Sequence, residues 1–534
     1  MTHDSTLPPS AVRLAASLAL CFTLCLVATR QVNAVSRQAS SSDPLPRPIG
    51  SPPTDQTDIR EVRAAVARHT KPLAASGIVP RFSFAAGVAH STTGSEHPSA
   101  PEERVDIDLY EMGSITKLFT AALLAEMTLR GEVQLDTPLD DLLPDAITAP
   151  AHPDGPIRLW HLATHTSGFP RLPDNLPVPD PDDPYDGYNA ELLYTFVDEH
   201  RLVRAPGSAY EYSNLGSGLL GQVLADHAGM SFERLLTERI LAPLGLDDTM
   251  LTVPSEFTGR LVAPTAHGLP TARWDGFDSL APCGGLITTI SDLARFAQVN
   301  LAADGSNEDP DVARVERALL MTHQPRFHDP VSGVTLGLGW HVLPPAAGLG
   351  PGTLTHDGMT GGYSSSLLIN RERNTFVVAL AGSADNAVSA SAGRLMRDLA
   401  SDAAVDPLVI RPLPEVDAGH LDRLIGVYEN RAGMRFEIER FGRRLAARLV
   451  PQPRQRVVPA HREPAEGVSE GAISAPHRFR FLSVAAELEF DLTSANATDD
   501  TADDTADDTA DTRPAIAVTL HQNGFSIRLP RVTD

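Results

Sequence analysis

The 534-residue chain carries 44 basic against 68 acidic residues, a formal net charge of −24, with a hydrophobic content of 42%. That balance repels phosphate backbones and anionic membrane surfaces, which excludes nucleic acid as a natural partner. The length calls for two folded units with tails rather than one small domain.

The first residues have the pattern of an export signal: Arg13, an uncharged apolar stretch from Leu14 to Ala28, then Val32-Asn33-Ala34 with small residues where a signal peptidase cuts. Residues 1–34 are therefore predicted to be a signal peptide, and the mature protein to be exported, periplasmic or extracellular. The apolar stretch is short for a membrane span, but the weakly charged start and Arg30, which follows the run, leave an uncleaved anchor as the alternative, the one membrane contact this sequence offers. Cys21 and Cys25 leave with a cleaved signal. Cys283 alone then remains, so an exported chain has no internal disulfide and depends on its core.

Residues 35–58, rich in Ser, Pro and Gln, bury too little apolar surface to order themselves and read as a flexible leader. A first folded unit is predicted over 59–405. Within it, Leu118 to Leu129 has apolar residues at helical spacing and stops at Arg130-Gly131, and Leu215 to Ala228 stops in the same way at Gly229. Leu367 to Ala381 contains Phe376-Val377-Val378-Ala379-Leu380, a buried strand by its β-branched and aromatic content. Helices mixed with strands predict an α/β (α+β) layered body.

A Pro-containing linker is predicted at 406–418. After it Gly426-Val427-Tyr428 and Arg435 to Leu449 alternate as short strands do, so 419–534 reads as a small β-rich domain. Inside it, 498–512 repeats Thr-Ala-Asp-Asp, giving seven aspartates and no basic residue, which is a solvated loop between strands. A calcium loop would need a turn glycine and spaced ligands that the run lacks.

The chemistry concentrates at Met112-Gly113-Ser114-Ile115-Thr116-Lys117. In a first helical turn, Ser114 and Lys117 share a face and are close enough to exchange a proton, and the helix N-terminus adds N–H groups and partial positive charge. A hydroxyl attacks only when a base takes its proton, and an amine does so only when burial or a nearby cation lowers its pKa. A Ser three residues before a Lys is by itself a weak signal. Only Lys71 and Lys117 are lysines, however, and the other 42 basic residues are arginine. Arginine cannot deprotonate near neutral pH, so lysine survives at the position where a base is needed. The competing reading is a surface lysine on an amphipathic helix.

The segment from Glu111 to Thr120 resembles the nucleophile segment of the class C β-lactamase, D-alanyl-D-alanine carboxypeptidase and family VIII esterase group, serine β-lactamase-like and penicillin-binding proteins. Further motifs follow in family order: Arg130 to Asp136, Leu162 to Gly168, Pro206 to Asn214, Pro282 to Gly285 and His356-Asp357-Gly358, so the similarity spans about residues 60 to 400. It implies a β-lactamase/transpeptidase-like fold, an antiparallel sheet flanked by helices with an all-helical subdomain, and a serine hydrolase that needs no metal or cofactor.

Residue by residue, the resemblance implies Ser114 as nucleophile, Lys117 as its base, and Tyr212 as a proton relay with a pKa depressed by nearby cations. Asn214, two residues on along an extended segment, faces the same cleft and donates to the substrate's amide carbonyl. Taken alone, Tyr212 and Asn214 also fit a tyrosine corner beside a turn. His356 stands where class C β-lactamases carry lysine, so its hold on a substrate carboxylate weakens as pH rises. Gly358, Gly361 and Gly362 clear side chains from what should be an edge strand, where a substrate backbone can lie. The N–H groups of Ser114 and Met359 are the implied oxyanion donors.

His161 and His165, four apart, lack the glutamate of a metal-binding helix, and Cys283 reads as a small packed residue. The implied substrates are D-alanyl-D-alanine peptides, β-lactams or small esters, with pocket walls drawn from loops such as Leu172 to Tyr188. The alternative is a slowly acylated penicillin-binding or sensor protein whose extra domain recognises a partner.

Overall fold

The computed structural model describes residues 59–88, 91–93, 107–177, 183–266, 269–344, 347–350, 352–400, 404–410, 418–429, 435–441, 444–450, 468–475, 478–481, 486–491, 514–515, 517–522 and 525–532. The expected signal peptide, the leader and the aspartate repeat lie outside these residues, as does most of the expected linker. No helix among the described residues is long and apolar enough to cross a membrane.

The body is built on one eight-stranded antiparallel sheet. Helix α1 (Ile59–Ser76) precedes β1 (Phe82–Val88) and β2 (Ser91–Thr93). A helical stretch follows, with α2 (Thr116–Arg130), α3 (Leu159–Ala163), α4 (Ala190–Glu199), α5 (Asn214–Ala228), α6 (Ile290–Ala302) and α7 (Pro310–His323). The chain then returns to the sheet with β3 (Phe327–His328), β4 (Thr335–Leu336), β5 (His341–Val342), β6 (Thr353–Met359), β7 (Ser364–Asn370) and β8 (Thr375–Ala381) before α8 (Asn386–Ala400). The spatial order is β2-β1-β8-β7-β6-β5-β4-β3. This is the antiparallel sheet with flanking helices that the motifs imply.

The unbroken apolar run at 376–380 follows from burial on both faces. Val378 and Leu380 join the core beneath α2 and α6, whereas Val377 and Ala379 point the other way into the cluster formed with α1 and α8, where Val62, Val66, Leu73, Leu395 and Met396 meet Phe82 and Phe84. Period-2 alternation of side chains with no solvent face yields a continuous hydrophobic string. The helix stops read from the sequence are also present: Gly131 and Gly229 take φ of 77° and 68° as left-handed C-caps, a conformation that costs glycine nothing.

From helix α9 (Ala418–Leu424) the chain enters a second antiparallel sheet, β9 (Gly426–Glu429), β10 (Arg435–Phe441), β11 (Arg444–Val450), β12 (Val468–Ala475), β13 (Arg478–Phe481), β14 (Ala486–Asp491), β15 (Ala517–Gln522) and β16 (Phe525–Pro530). Each strand pairs with the next in sequence. Tyr428 also bridges Arg531, and the Val532 N–H donates to the Val427 carbonyl over 2.7 Å. The meander thereby closes on itself, the up-and-down arrangement that removes exposed sheet edges. Strands β14 and β15, which flank the aspartate repeat, pair with each other from Asp491 and Ala517 onward.

Candidate active site

Ser114 is held by backbone geometry before any side chain contributes. Residues Tyr110–Glu111 pair with Ile287–Thr288, Met112 N–H donates to the Leu286 carbonyl over 2.9 Å, and the Met112 carbonyl accepts the Ser365 hydroxyl at 2.7 Å. Gly113 then turns with φ of 51°. A side chain there would come within 2.8 Å of the Met359 nitrogen, and one at Gly358 would sit 2.0 Å from the Met112 carbonyl and 3.0 Å from the Ser114 nitrogen. Glycine at both positions lets the end of β6 lie backbone to backbone against the serine turn.

Ser114 lies in a 3-10 turn, Gly113–Ile115, and the α-helix begins only at Thr116. This shifts the expected placement in the first α-helical turn by two residues, because the Thr116 hydroxyl bonds the Gly113 carbonyl at 2.7 Å and accepts the Leu286 N–H at 3.1 Å, fixing the tighter turn. The spacing still works. Lys117 Nζ donates to Ser114 Oγ over 3.0 Å and to the Cys283 carbonyl over 2.6 Å. Ser114 is half-buried, whereas Lys117 is 3% exposed. Burial, aided by repulsion from Arg171 and opposed by Cys283, lowers the lysine pKa to about 8.

Tyr212 stands across from this pair. Its ring lies 4.9 Å from Lys117 Nζ and 5.1 Å from the Arg171 guanidinium carbon. The ring also lies 4.3 Å from that of His165. His165 adopts a left-handed φ of 56°, and its Nδ1 accepts the Ser213 N–H at 3.2 Å. Ser213 is extended and caps α5, its hydroxyl accepting the Gly216 N–H at 2.8 Å and donating to the Pro170 carbonyl at 2.7 Å. Asn214 is 7% exposed; its Nδ2 lies 3.0 Å from the Tyr185 hydroxyl and its Oδ1 has no partner among the described residues. A half-turn of the amide keeps the Tyr185 contact, since a hydroxyl both donates and accepts, and presents a donor outward instead.

On β6, His356 is 3% exposed, and its Nδ1 lies 2.7 Å from the Asp357 carbonyl while its Nε2 has no partner among the described residues. A carbonyl only accepts, so Nδ1 carries the proton. Burial, then His341 and Lys117, holds its pKa well below the ordinary range, and burial takes His341 to about 4. A charged, carboxylate-holding His356 is therefore disfavoured. The expected edge strand is also corrected: β6 is interior to the sheet, although β5 pairs with it only at Leu354 and Thr355, leaving the His356–Met359 half without a partner on that side among the described residues. Gly361 and Gly362 serve packing rather than substrate access, since side chains there would meet Trp274 at 2.4 Å and Pro264 at 2.2 Å. Met359 is 42% exposed at the strand end.

The structure thus brings Ser114, Lys117, Tyr212, Asn214, His356, Gly358 and Met359 into one cleft region. It adds participants that the sequence did not signal: the Cys283 carbonyl, Arg171, the Tyr210–His341 contact at 3.3 Å and Tyr185. Glu111, the first residue of the nucleophile segment, is 2% exposed, with burial pushing its carboxyl to about 8 against the opposing pull of Thr360 and Arg273. His161 Nδ1 accepts the Arg158 N–H at 2.9 Å, so His161 and His165 serve separate local contacts.

In sequence and in fold the chain is similar to known proteins. The family model described as Beta-lactamase matches residues 49–401. D-alanyl-D-alanine-carboxypeptidase/endopeptidase AmpH of Escherichia coli is 30% identical over 275 residues, covering 50% of this chain and 69% of that protein. Penicillin-binding protein 4 of Amycolatopsis lactamdurans is 29% identical over 54% of this chain and 73% of its own, and a Beta-lactamase of Pseudomonas fluorescens is 30% identical over 44% and 61%. Among solved structures, a β-lactamase/D-alanine carboxypeptidase from Yersinia pestis aligns with a TM-score of 0.54 at 25% identity, over 65% of this chain and all of that one. The C-terminal sheet lies beyond the matched residues. By its sequence and its fold, the chain belongs to the Beta-lactamase family of serine hydrolases and penicillin-binding proteins.

Proposed function

We propose that this protein is an exported serine hydrolase that works through an acyl-enzyme on D-alanyl-D-alanine peptides, β-lactams or small esters. The observation that carries the reading is the Lys117 amine, buried and lowered to about 8, within 3.0 Å of the Ser114 hydroxyl. In its neutral form the amine donates one N–H to the Cys283 carbonyl and turns its lone pair toward Ser114. As Ser114 Oγ bonds to the substrate carbonyl carbon, its proton passes to Lys117 Nζ. The carbonyl oxygen becomes an oxyanion beside the Ser114 and Met359 N–H groups. Collapse breaks the bond to the leaving group, which takes a proton through Tyr212, and water then releases the acyl group from Ser114. Asn214 orients the substrate amide.

The test is turnover on nitrocefin, a D-alanyl-D-alanine peptide and nitrophenyl butyrate, with wild type beside Ser114→Ala. Steady-state release by wild type and none by the alanine variant supports a hydrolase. A single stoichiometric burst supports the sensor reading, which the additional C-terminal sheet favours, and equal rates for both proteins reject the nucleophile.

A further inference from the structure

An anionic substrate needs a cation in the cleft, and His356 is poorly suited to supply it. With Nδ1 protonated on the Asp357 carbonyl, the Nε2 atom is a buried lone pair without a partner among the described residues, and the His341 ring lies 5.4 Å away. A lone pair repels a carboxylate and attracts a donor. Lys117 is committed to Ser114 and Cys283. Arg204 and Arg273 are paired with Glu211 and Asp275.

Arg171 differs from these. It is exposed and lies over the Tyr212 ring, and it has no carboxylate partner among the described residues. Its backbone is fixed to the catalytic segment, since its carbonyl accepts the N–H groups of Asn214 at 3.0 Å and Leu215 at 3.2 Å. The cation–π contact with Tyr212 limits the freedom of the guanidinium, and its planar fork suits a carboxylate.

We propose that Arg171 is the carboxylate-binding residue of this cleft, and that the group it binds is the free α-carboxylate of an anionic leaving group. The inference rests on the acyl-transfer reading, in which the leaving atom takes its proton through Tyr212. In a D-amino acid leaving group the carboxylate carbon is two bonds from that atom. It therefore departs on the Tyr212 side, where the Arg171 guanidinium lies over the ring.

The test compares diacetyl-L-lysyl-D-alanyl-D-alanine with its C-terminal amide, using wild type, Arg171→Gln and Arg171→Lys. Wild type is expected to favour the free acid. Arg171→Gln should lose about tenfold more in kcat/KM on the acid than on the amide, mainly through KM, as expected for one charge-assisted contact, any loss common to both peptides reporting the part Arg171 plays in lowering the Lys117 pKa. Arg171→Lys should recover part of the loss. Equal losses on both peptides, or an unaltered rate on the acid, overturn the proposal, as does a wild type that labels with a fluorophosphonate yet cleaves neither peptide or prefers the amide. A chain that fails to label at Ser114 rejects the acyl-transfer reading instead, so the two failures are distinct.

Discussion

Replacing Lys117 by arginine keeps a positive charge one turn from Ser114 but removes the capacity to become neutral. With a pKa of about 8, roughly one Lys117 in eleven is unprotonated at pH 7, against roughly one in three thousand for a lysine at 10.5. Burial therefore supplies about a 300-fold gain in free base, equivalent to about 3 kcal/mol. An arginine with a pKa above about 12 has a neutral fraction below about one in 100,000, some four orders of magnitude under that of Lys117. Acylation by Lys117→Arg should fall at least about 1,000-fold if the amine is the base. The assay is the second-order rate of labelling by a fluorophosphonate between pH 5.5 and 9.5, with the thermal midpoint of each protein as a check on folding. Wild-type labelling should rise about tenfold per pH unit and level off near pH 8. A folded arginine variant that labels within tenfold of wild type, or a wild-type profile that is flat with pH, refutes the reasoning.

Other consequences follow from burial and close contact. Gly358→Ala places a side chain 2.0 Å from the Met112 carbonyl and 3.0 Å from the Ser114 nitrogen; it should destabilise by about 1–3 kcal/mol and suppress labelling, and an active, fully stable variant would contradict the packing. His161, His323 and His341 have pKa values lowered by burial to about 4, 3 and 4. Their folded values lie below the unfolded one, so the stability they confer is complete above about pH 6.5. It is lost as pH falls toward their folded values, each histidine contributing roughly 1.4 kcal/mol for every pH unit that separates its folded value from its unfolded one. Thermal midpoints measured from pH 7 down to 4.5 should decline, and His323→Gln should make the decline shallower; an identical slope would count against this account. Burial also raises the pKa of the Cys283 thiol, which is 1% exposed, so Ellman's reagent should titrate it only after denaturation; reaction within seconds in the native state would show an open site.

Much of this was legible where chemistry or periodicity constrains the residue type. Gly131 and Gly229 mark helix ends because left-handed caps exclude most side chains, and the run at 376–380 marks a strand buried on both faces. Ser114 and Lys117 stand out because arginine elsewhere makes the lysine informative. The Cys283 carbonyl was not legible, since a backbone acceptor 166 residues from its donor has no side-chain signature. Arg171 and His341 reach the cleft by tertiary folding, with no local pattern to announce them. Gly361 and Gly362 were legible as positions that need glycine, but Trp274 and Pro264, which impose the need, come from another loop. The two-residue strands β3, β4 and β5 are shorter than any periodicity can reveal.

Every catalytic step proposed above depends on acylation of the Ser114 hydroxyl. Incubation with a fluorescent penicillin and with a fluorophosphonate, followed by proteolysis and mass analysis, locates the adduct. One adduct per chain is expected, on the peptide containing Ser114, and none in Ser114→Ala. An adduct on another residue, or undiminished labelling of the alanine variant, contradicts that expectation.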